Sequence, residues 1–302
     1  MAAATGGSFH TDPGAVADDR RPVLLLIPGR ACRALEAGKL LKARGHPVLV
    51  TWKECGTRQL QKAWRRPGYP GTMARIGSLA SAWVAASPGA GSVLASRMPD
   101  ARTVVLPTPY PVDVPGWTSA LSPPSDRTGI FIGTREWGAA FRRHREAVVL
   151  AARLADRFPG MPVTAVNPEG LSGVIRTALA ARGRVKLVPP MAYGAYIQTM
   201  AAHRVVIQRD IGGVPGQVAG DSLLAGLPCL GGNGMVDRLA YPHLPGGGAS
   251  TDEVCECAAR LLSDDDYWVE TVRAARENAL KKLSFGAFRK RWARTLEILH
   301  SR

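Results

Sequence analysis

The sequence predicts an α/β protein made of two successive α/β domains, each built around a parallel sheet. Three observations carry this reading. Short apolar runs of strand length alternate with helical stretches from Pro22 onward. Six prolines crowd positions 107–124 and split that alternation into two series. The 302 residues, 46 % of them hydrophobic, suffice for a substantial core in one large or two ordinary domains.

Residues 1–20 are small, polar and partly acidic, unlike the basic start and apolar middle of a signal peptide, and read as a disordered lead-in. Residues 23–27, Val-Leu-Leu-Leu-Ile, form a buried strand followed by Pro28, Gly29 and Arg30. A helix carrying Leu35, Leu40 and Leu41 comes next, ended by Gly45 and His46, and residues 48–50 make a second strand. That is a βαβ unit, whose strands must be parallel. Residues 53–76 show no clear element, because basic residues mix with Trp64 and Tyr69 and two Pro-Gly pairs interrupt them. Strands follow at 82–86 and 103–106, with Ser87-Pro88 opening the helix between them. The first domain therefore spans 21–113, and 114–128 reads as a proline-stiffened linker.

The second series starts at Gly129. Strands are expected at 130–132, 163–166, 185–188, 205–207 and 228–230, with helices between them, including one after Val166 and one over 193–203. A glycine-rich stretch at 212–220 precedes a helix at 221–225, and helices at 251–263, 266–281 and 285–299 end the chain. No apolar run reaches the roughly 18 residues of a membrane span. Five cysteines without a zinc-like spacing read as reduced thiols of a cytoplasmic protein.

Charge is distributed unevenly. Residues 20–75 carry 13 Lys or Arg against Glu36 and Glu54, out of a net +15 for the whole chain. An excess of this kind in one lobe points to an anionic partner.

The chemistry concentrates between Val205 and Leu230, where a strand, a glycine-rich loop and a helix follow one another. Such a loop offers backbone N–H groups and a helix N-terminus to a phosphate. Glycines at 212, 213, 216 and 220 let the backbone approach a ligand closely. Asp221, in the helix's first turn, is placed either to accept from sugar hydroxyls or to act as a plain N-cap.

Asp221-Ser-Leu-Leu-Ala-Gly-Leu-Pro-Cys229 resembles the acidic-Ala-x-Ala-x-Gly-x-Pro-Val element of retaining GT-B glycosyltransferases. Residues 104–113 are similar to the segment closing that family's first domain, and 129–135 to the first strand of its second. The resemblance implies two Rossmann-like domains facing across a cleft, with the final helix (285–302) crossing back to the first domain. It implies a nucleotide-diphosphate sugar, such as a UDP-sugar, as co-substrate, with no other cofactor and no metal. Asp221 then binds the ribose, and Gly216, Gln217, Val218 and Ala219 line the diphosphate. Arg135, backed by Arg142 or Arg143, meets the diphosphate, and Tyr193 lies beside the nucleobase. Gly213 stands where the family has a second carboxylate for the donor sugar, which leaves the sugar and the stereochemical outcome open.

A base for the acceptor hydroxyl is sought in His46 or Asp113. Arg30, Lys62, Trp64, Arg65 and Arg66 are candidates for the acceptor, since bases neutralise phosphates and aromatics stack on nucleobases. The corresponding acceptor is DNA with a hydroxymethylated pyrimidine, as for a phage-type DNA glycosyltransferase. The alternative is an anionic lipid or envelope glycan met at a membrane surface. A sugar-nucleotide epimerase and a noncatalytic DNA-binding protein are the readings from other classes.

Overall fold

The computed structural model describes residues 1–28, 31–52, 56–117, 123–133, 139–166 and 185–300. The helix expected after Val166, Arg30 and Arg135 lie outside these residues. The chain divides into two compact units. The first comprises Met1–Pro109, Gly213–Pro215 and Phe285–Arg302, and the second Tyr110–Gly212 and Gly216–Ser284.

In the first unit, β1 (Val23–Ile27), β2 (Val48–Trp52), β3 (Ala82–Ala85) and β4 (Thr103–Val105) form a parallel sheet in that order. Val23 lies opposite Val48, and Trp83 opposite Thr103. Both faces of the central strands β2 and β3 are buried, and the strand period of two sorts their side chains between the faces. Val48, Val50, Trp83 and Ala85 share one core with Leu60, Trp64, Met73 and Ile76. Leu49 and Val84 share another with Ala4, Leu106 and Phe288.

The helices of this unit are α1 (Ala2–Thr5), α2 (Ala31–Ala43), α3 (Thr57–Trp64), α4 (Tyr69–Gly77) and α5 (Pro88–Arg97), to which the last helix of the chain is added below. Two expectations change here. The lead-in contains the short α1, whose Ala4 is fully buried, because small residues let the segment pack closely. The segment at 53–76 contains α3 and α4. The Pro-Gly pairs mark the corner between them, with Gly68 in the left-handed region (φ 73°) and Pro70 in the first turn of α4, where a missing N–H costs nothing.

In the second unit, β5 (Ile130–Ile132), β6 (Val163–Val166), β7 (Val185–Val188), β8 (Val205–Ile207) and β9 (Cys229–Leu230) form a parallel sheet ordered β7-β6-β5-β8-β9. The chain winds outward from β5 to β7, then returns to place β8 on the other side of β5. The reversal falls between β5 and β8, and ligands of doubly wound sheets bind at the C-terminal ends of the strands at such a switch point. The helices are α6 (His144–Arg157), α7 (Tyr193–Ala201), α8 (Gln217–Ala225), α9 (Met235–Ala240), α10 (Thr251–Ser263) and α11 (Asp265–Lys282). The last helix, α12 (Phe285–His300), belongs to the first unit.

The second unit takes up both described flanks of the proline-rich stretch. Tyr110 and Val112 join the core of the second unit. The buried Arg127 guanidinium donates to the carbonyls of Ala201 (2.8 Å) and Ala225 (3.1 Å) and lies over the Trp268 ring. These contacts tie Tyr110, Val112 and Arg127 to the second unit. Among the described residues, no helix is long and apolar enough to cross a membrane.

Candidate functional site

Where the sheet of the second unit reverses, β8 runs into Gln208, Arg209 and Asp210, all buried. Asp210 holds the loop that follows. Its Oδ1 accepts from the Gly212 N–H at 2.6 Å, its other oxygen pairs with Arg142, and its carbonyl accepts from Asn233 N–H at 3.0 Å. Gly212 is required at its position, since a Cβ there would lie 2.8 Å from the Phe141 ring. From β5, Gly133 comes against the start of α8, where a Cβ would stand 3.2 Å from Val218 Cγ1 and from Tyr196 Oη.

Gly216 is the N-cap of α8 at φ 97°, a conformation costly for any residue with a Cβ. The first N–H to bond back within the helix is that of Gly220, to the Gly216 carbonyl at 3.0 Å. The N–H groups of Gln217, Val218 and Ala219 are therefore the first-turn donors that helix geometry leaves without an intrahelical acceptor. With the helix dipole, they form an electropositive corner suited to an anion.

Helix α8 starts four residues earlier than expected, so Asp221 is its fifth residue and not its cap. It is only 3 % exposed and accepts a hydrogen bond from Tyr193 Oη at 2.8 Å. Tyr193, at the first position of α7, is 38 % exposed and stacks on Tyr196. The structure thus gathers Tyr193, Gly216, Gln217, Val218, Ala219 and Asp221 at one end of one sheet. Gly220 plays a different part from the one expected. A Cβ there would fall 1.8 Å from the Tyr110 ring, so the glycine admits that ring and not a ligand. Gly213, at φ 63°, is grouped with the first unit, where its carbonyl accepts from the Thr57 N–H at 3.3 Å.

The sequence leaves Asp210 and Gln208 without roles, and residues 233–238, Asp237 among them, read either as lining the donor pocket or as an ordinary surface loop. Asp237, the third residue of α9, is buried and accepts from Gln208 Nε2 at 2.8 Å. Burial, joined by the nearby Asp210 charge, pushes its carboxyl up to about 7. The signal available in sequence was Gly231-Gly-Asn-Gly234 followed by an acid, but only the contacts give it meaning.

Several other candidates take structural positions. His46 is 1 % exposed just before β2, at the N-terminal end of the sheet, and its Nδ1–H donates to the Arg21 carbonyl at 2.9 Å. Parallel sheets bind ligands at the opposite end, so His46 is not placed to act as a base. Trp64 is 8 % exposed in the first unit's core, beside Trp52 and edge-on to Tyr69. Its apolar surface is spent on packing, which removes it from the acceptor set. Lys62, Arg65 and Arg66 are exposed, as is Asp113 in the second unit. Among the described residues, no group of three or more His, Cys, Asp or Glu is gathered as a metal site.

No protein-family model matches the chain, and no curated protein does. Solved structures do match. HepE of Anabaena, in complex with UDP and glucose, aligns with a TM-score of 0.67 at 16 % identity, over 90 % of this chain and 78 % of that one. Sucrose-phosphate synthase from Thermosynechococcus elongatus gives 0.63 at 14 %, over 89 % and 72 %. The E. coli trehalose-6-phosphate protein bound with UDP-2-fluoro glucose gives 0.70 at 11 %, over 94 % and 74 %. At these identities the likeness is one of fold: the chain folds as two Rossmann-like α/β domains of the GT-B kind.

Proposed function

We propose that the chain is a glycosyltransferase that uses a nucleotide-diphosphate sugar, with its donor site at the start of α8. The observation that carries this is the spacing of two features on one short helix. The first-turn N–H groups of Gln217, Val218 and Ala219 offer a place for a diphosphate, and the buried Asp221 carboxylate lies about one turn further on. Asp221 already accepts from a tyrosine hydroxyl, so it can accept from ribose hydroxyls in the same way. Structures of the same fold hold UDP with glucose and UDP-2-fluoro glucose, which favours a UDP-sugar here.

In the reaction, the acceptor oxygen bonds to the anomeric carbon as the bond to the diphosphate breaks. The acceptor proton passes to a base, for which Asp113 is the candidate that stays exposed. The helix dipole and the first-turn N–H groups stabilise the departing diphosphate, with Arg142 held by Asp210 at the same sheet end.

We assign the acceptor to polyanions, with DNA carrying hydroxymethylated pyrimidines as the first case. The first unit carries 20 Lys or Arg against 7 Asp or Glu, a net +13 of the chain's +15. Arg58, Lys62 and Arg65 recur on the exposed face of α3 and its C-cap, Arg66 follows, and no acidic residue occurs from 56 to 99. These residues suit phosphates. Because Trp64 lies in the core, stacking on splayed bases is not its task, and this favours phosphate-led recognition, which a phosphorylated lipid or envelope glycan also offers. The test is transfer from tritiated UDP-glucose to hydroxymethylcytosine DNA or to a lipid extract. Label on lipid and none on DNA would reject the DNA acceptor. Unchanged nucleotide-sugar affinity in Asp221→Ala would reject the donor site.

A further inference from the structure

Next to the start of α8 lies a buried carboxyl that the proposed reaction does not use. Asp237 Oδ1 takes the hydrogen bond from Gln208, while Oδ2 is buried without a hydrogen-bond partner. Three glycines crowd it. A Cβ on Gly232 would stand 2.3 Å from Oδ1, one on Gly234 2.6 Å from Oδ2, and one on Gly216 3.1 Å from Oδ2. The caps of α8 and α9 also touch each other, because a Cβ on Gly234 would lie 2.7 Å from Gly216 Cα. Gly216 thus rests against both Gly234 and the Asp237 carboxyl. Removing or enlarging that carboxyl would therefore bear directly on Gly216, and through it on the N–H groups of Gln217, Val218 and Ala219.

The influences on Asp237 act in opposite senses: burial, the largest effect, and Asp210 raise its carboxyl, while the backbone N–H groups of Asp237 itself and Gly234 and the Gln208 amide lower it. Asp210 faces it from the end of β8, Cys229 from β9, Tyr241 from beyond α9, and Tyr110 from the segment before β5. Arg238 on α9 is exposed, and Lys282 of α11 is directed to the Leu239 carbonyl at 3.5 Å. Among the described residues, no Lys or Arg forms an ion pair with Asp237. A diphosphate bound at the start of α8 would bring further negative charge to a poorly solvated carboxyl, and like charges favour its neutral form.

We propose that Asp237 is the positioning residue of the donor site: it sets the N-terminus of α8, and it takes up a proton from solvent when a nucleotide-diphosphate sugar binds there. This rests on the donor reading above. The test is calorimetric titration of the full chain with UDP-glucose and ADP-glucose, in buffers of differing ionisation enthalpy. Neither ligand has a group titrating near neutrality, so proton uptake reports on the protein. The expected result is uptake of a sizeable fraction of a proton per donor near pH 7.5, with Kd rising toward about ten-fold per pH unit above it. Asp237→Asn, neutral and of the same shape, should bind without uptake and with Kd constant within about two-fold from pH 6 to 8.5. Asp237→Ala, which removes the wedge, should bind about ten-fold more weakly than Asp237→Asn at every pH from 6 to 8.5. Donor binding without uptake in the wild type, or uptake that persists in Asp237→Asn, overturns the proposal and leaves the donor reading standing. Wild-type protein that binds neither nucleotide sugar overturns both.

Discussion

Replacing Asp237 by Asn also tests the site's electrostatics with no ligand present. Burial holds the folded-state carboxyl up to about 7, whereas in the unfolded chain it titrates near 3.9, the usual aspartate value. Between those values the folded protein keeps a proton that the unfolded chain releases. Stability therefore falls as pH rises through this window, and the loss is complete above the folded value. Each pH unit weighs about 1.4 kcal/mol. Asp237 thus costs about 2 kcal/mol at pH 5 and about 4 kcal/mol at pH 8. Asn carries no such penalty and keeps an oxygen for Gln208. The stability of the variant relative to wild type should improve by about 2–3 kcal/mol between pH 5 and pH 8. Urea unfolding at the two pH values measures this directly. A relative stability that changes by less than about 1 kcal/mol would refute the account of a carboxyl held neutral by burial.

Three further outcomes follow from the packing and charge. Trp64→Ala should destabilise the first unit by about 3–5 kcal/mol, read as a lowered Tm by circular dichroism; loss of anion binding at unchanged Tm would return Trp64 to the acceptor surface. Gly220→Ala should cost more than about 2 kcal/mol, because the new methyl meets the Tyr110 ring, and pairing it with Tyr110→Ala should recover part of the loss in urea unfolding. Reversing Arg65 and Arg66 to Glu should lower the salt-dependence slope of DNA binding by about 2 in a fluorescence-anisotropy titration while donor binding stays intact.

The alternation of apolar runs made the two sheets legible, because strands covered on both faces read as short continuous hydrophobic stretches. Strands 23–27, 130–132 and 205–207 carry this signal, and 163–166 and 185–188, interrupted by Thr164 and Lys186, also occupy the expected positions. Composition failed where polar residues form helices on a buried stripe. In α3, only Leu60 and Trp64 are buried, four residues apart, and the polar residues around them, Arg58, Gln59, Gln61 and Lys62, hid the period. The start of α8 was misplaced for a related reason. Asp221 looked like a cap, but Gly216 supplies the required positive φ and Asp221 faces inward to Tyr193. The Asp210–Arg142 pair joins residues 68 positions apart, and Gln208–Asp237 residues 29 apart, so only the folded sheet brings either together.

The glycines decide what kind of site this is. A glycine-rich loop is commonly read as supple backbone, and surface glycines here, such as Gly194 and Gly248, have nothing within 4 Å of the point where a Cβ would stand. Gly212, Gly216, Gly220, Gly232 and Gly234 all have internal atoms within about 3 Å of that point. The space their side chains would take is occupied by Phe141, Val236, Tyr110, Gln208 and Asp237. Close packing restricts the backbone that glycine alone would free, so the loop behaves as part of the core. The first-turn N–H groups of α8 are then held in place without a ligand, and the proposed binding of an anion there would lose less ordering entropy. The same packing leaves no room to accommodate a charge on Asp237 by movement, which is why protonation is the response expected of it.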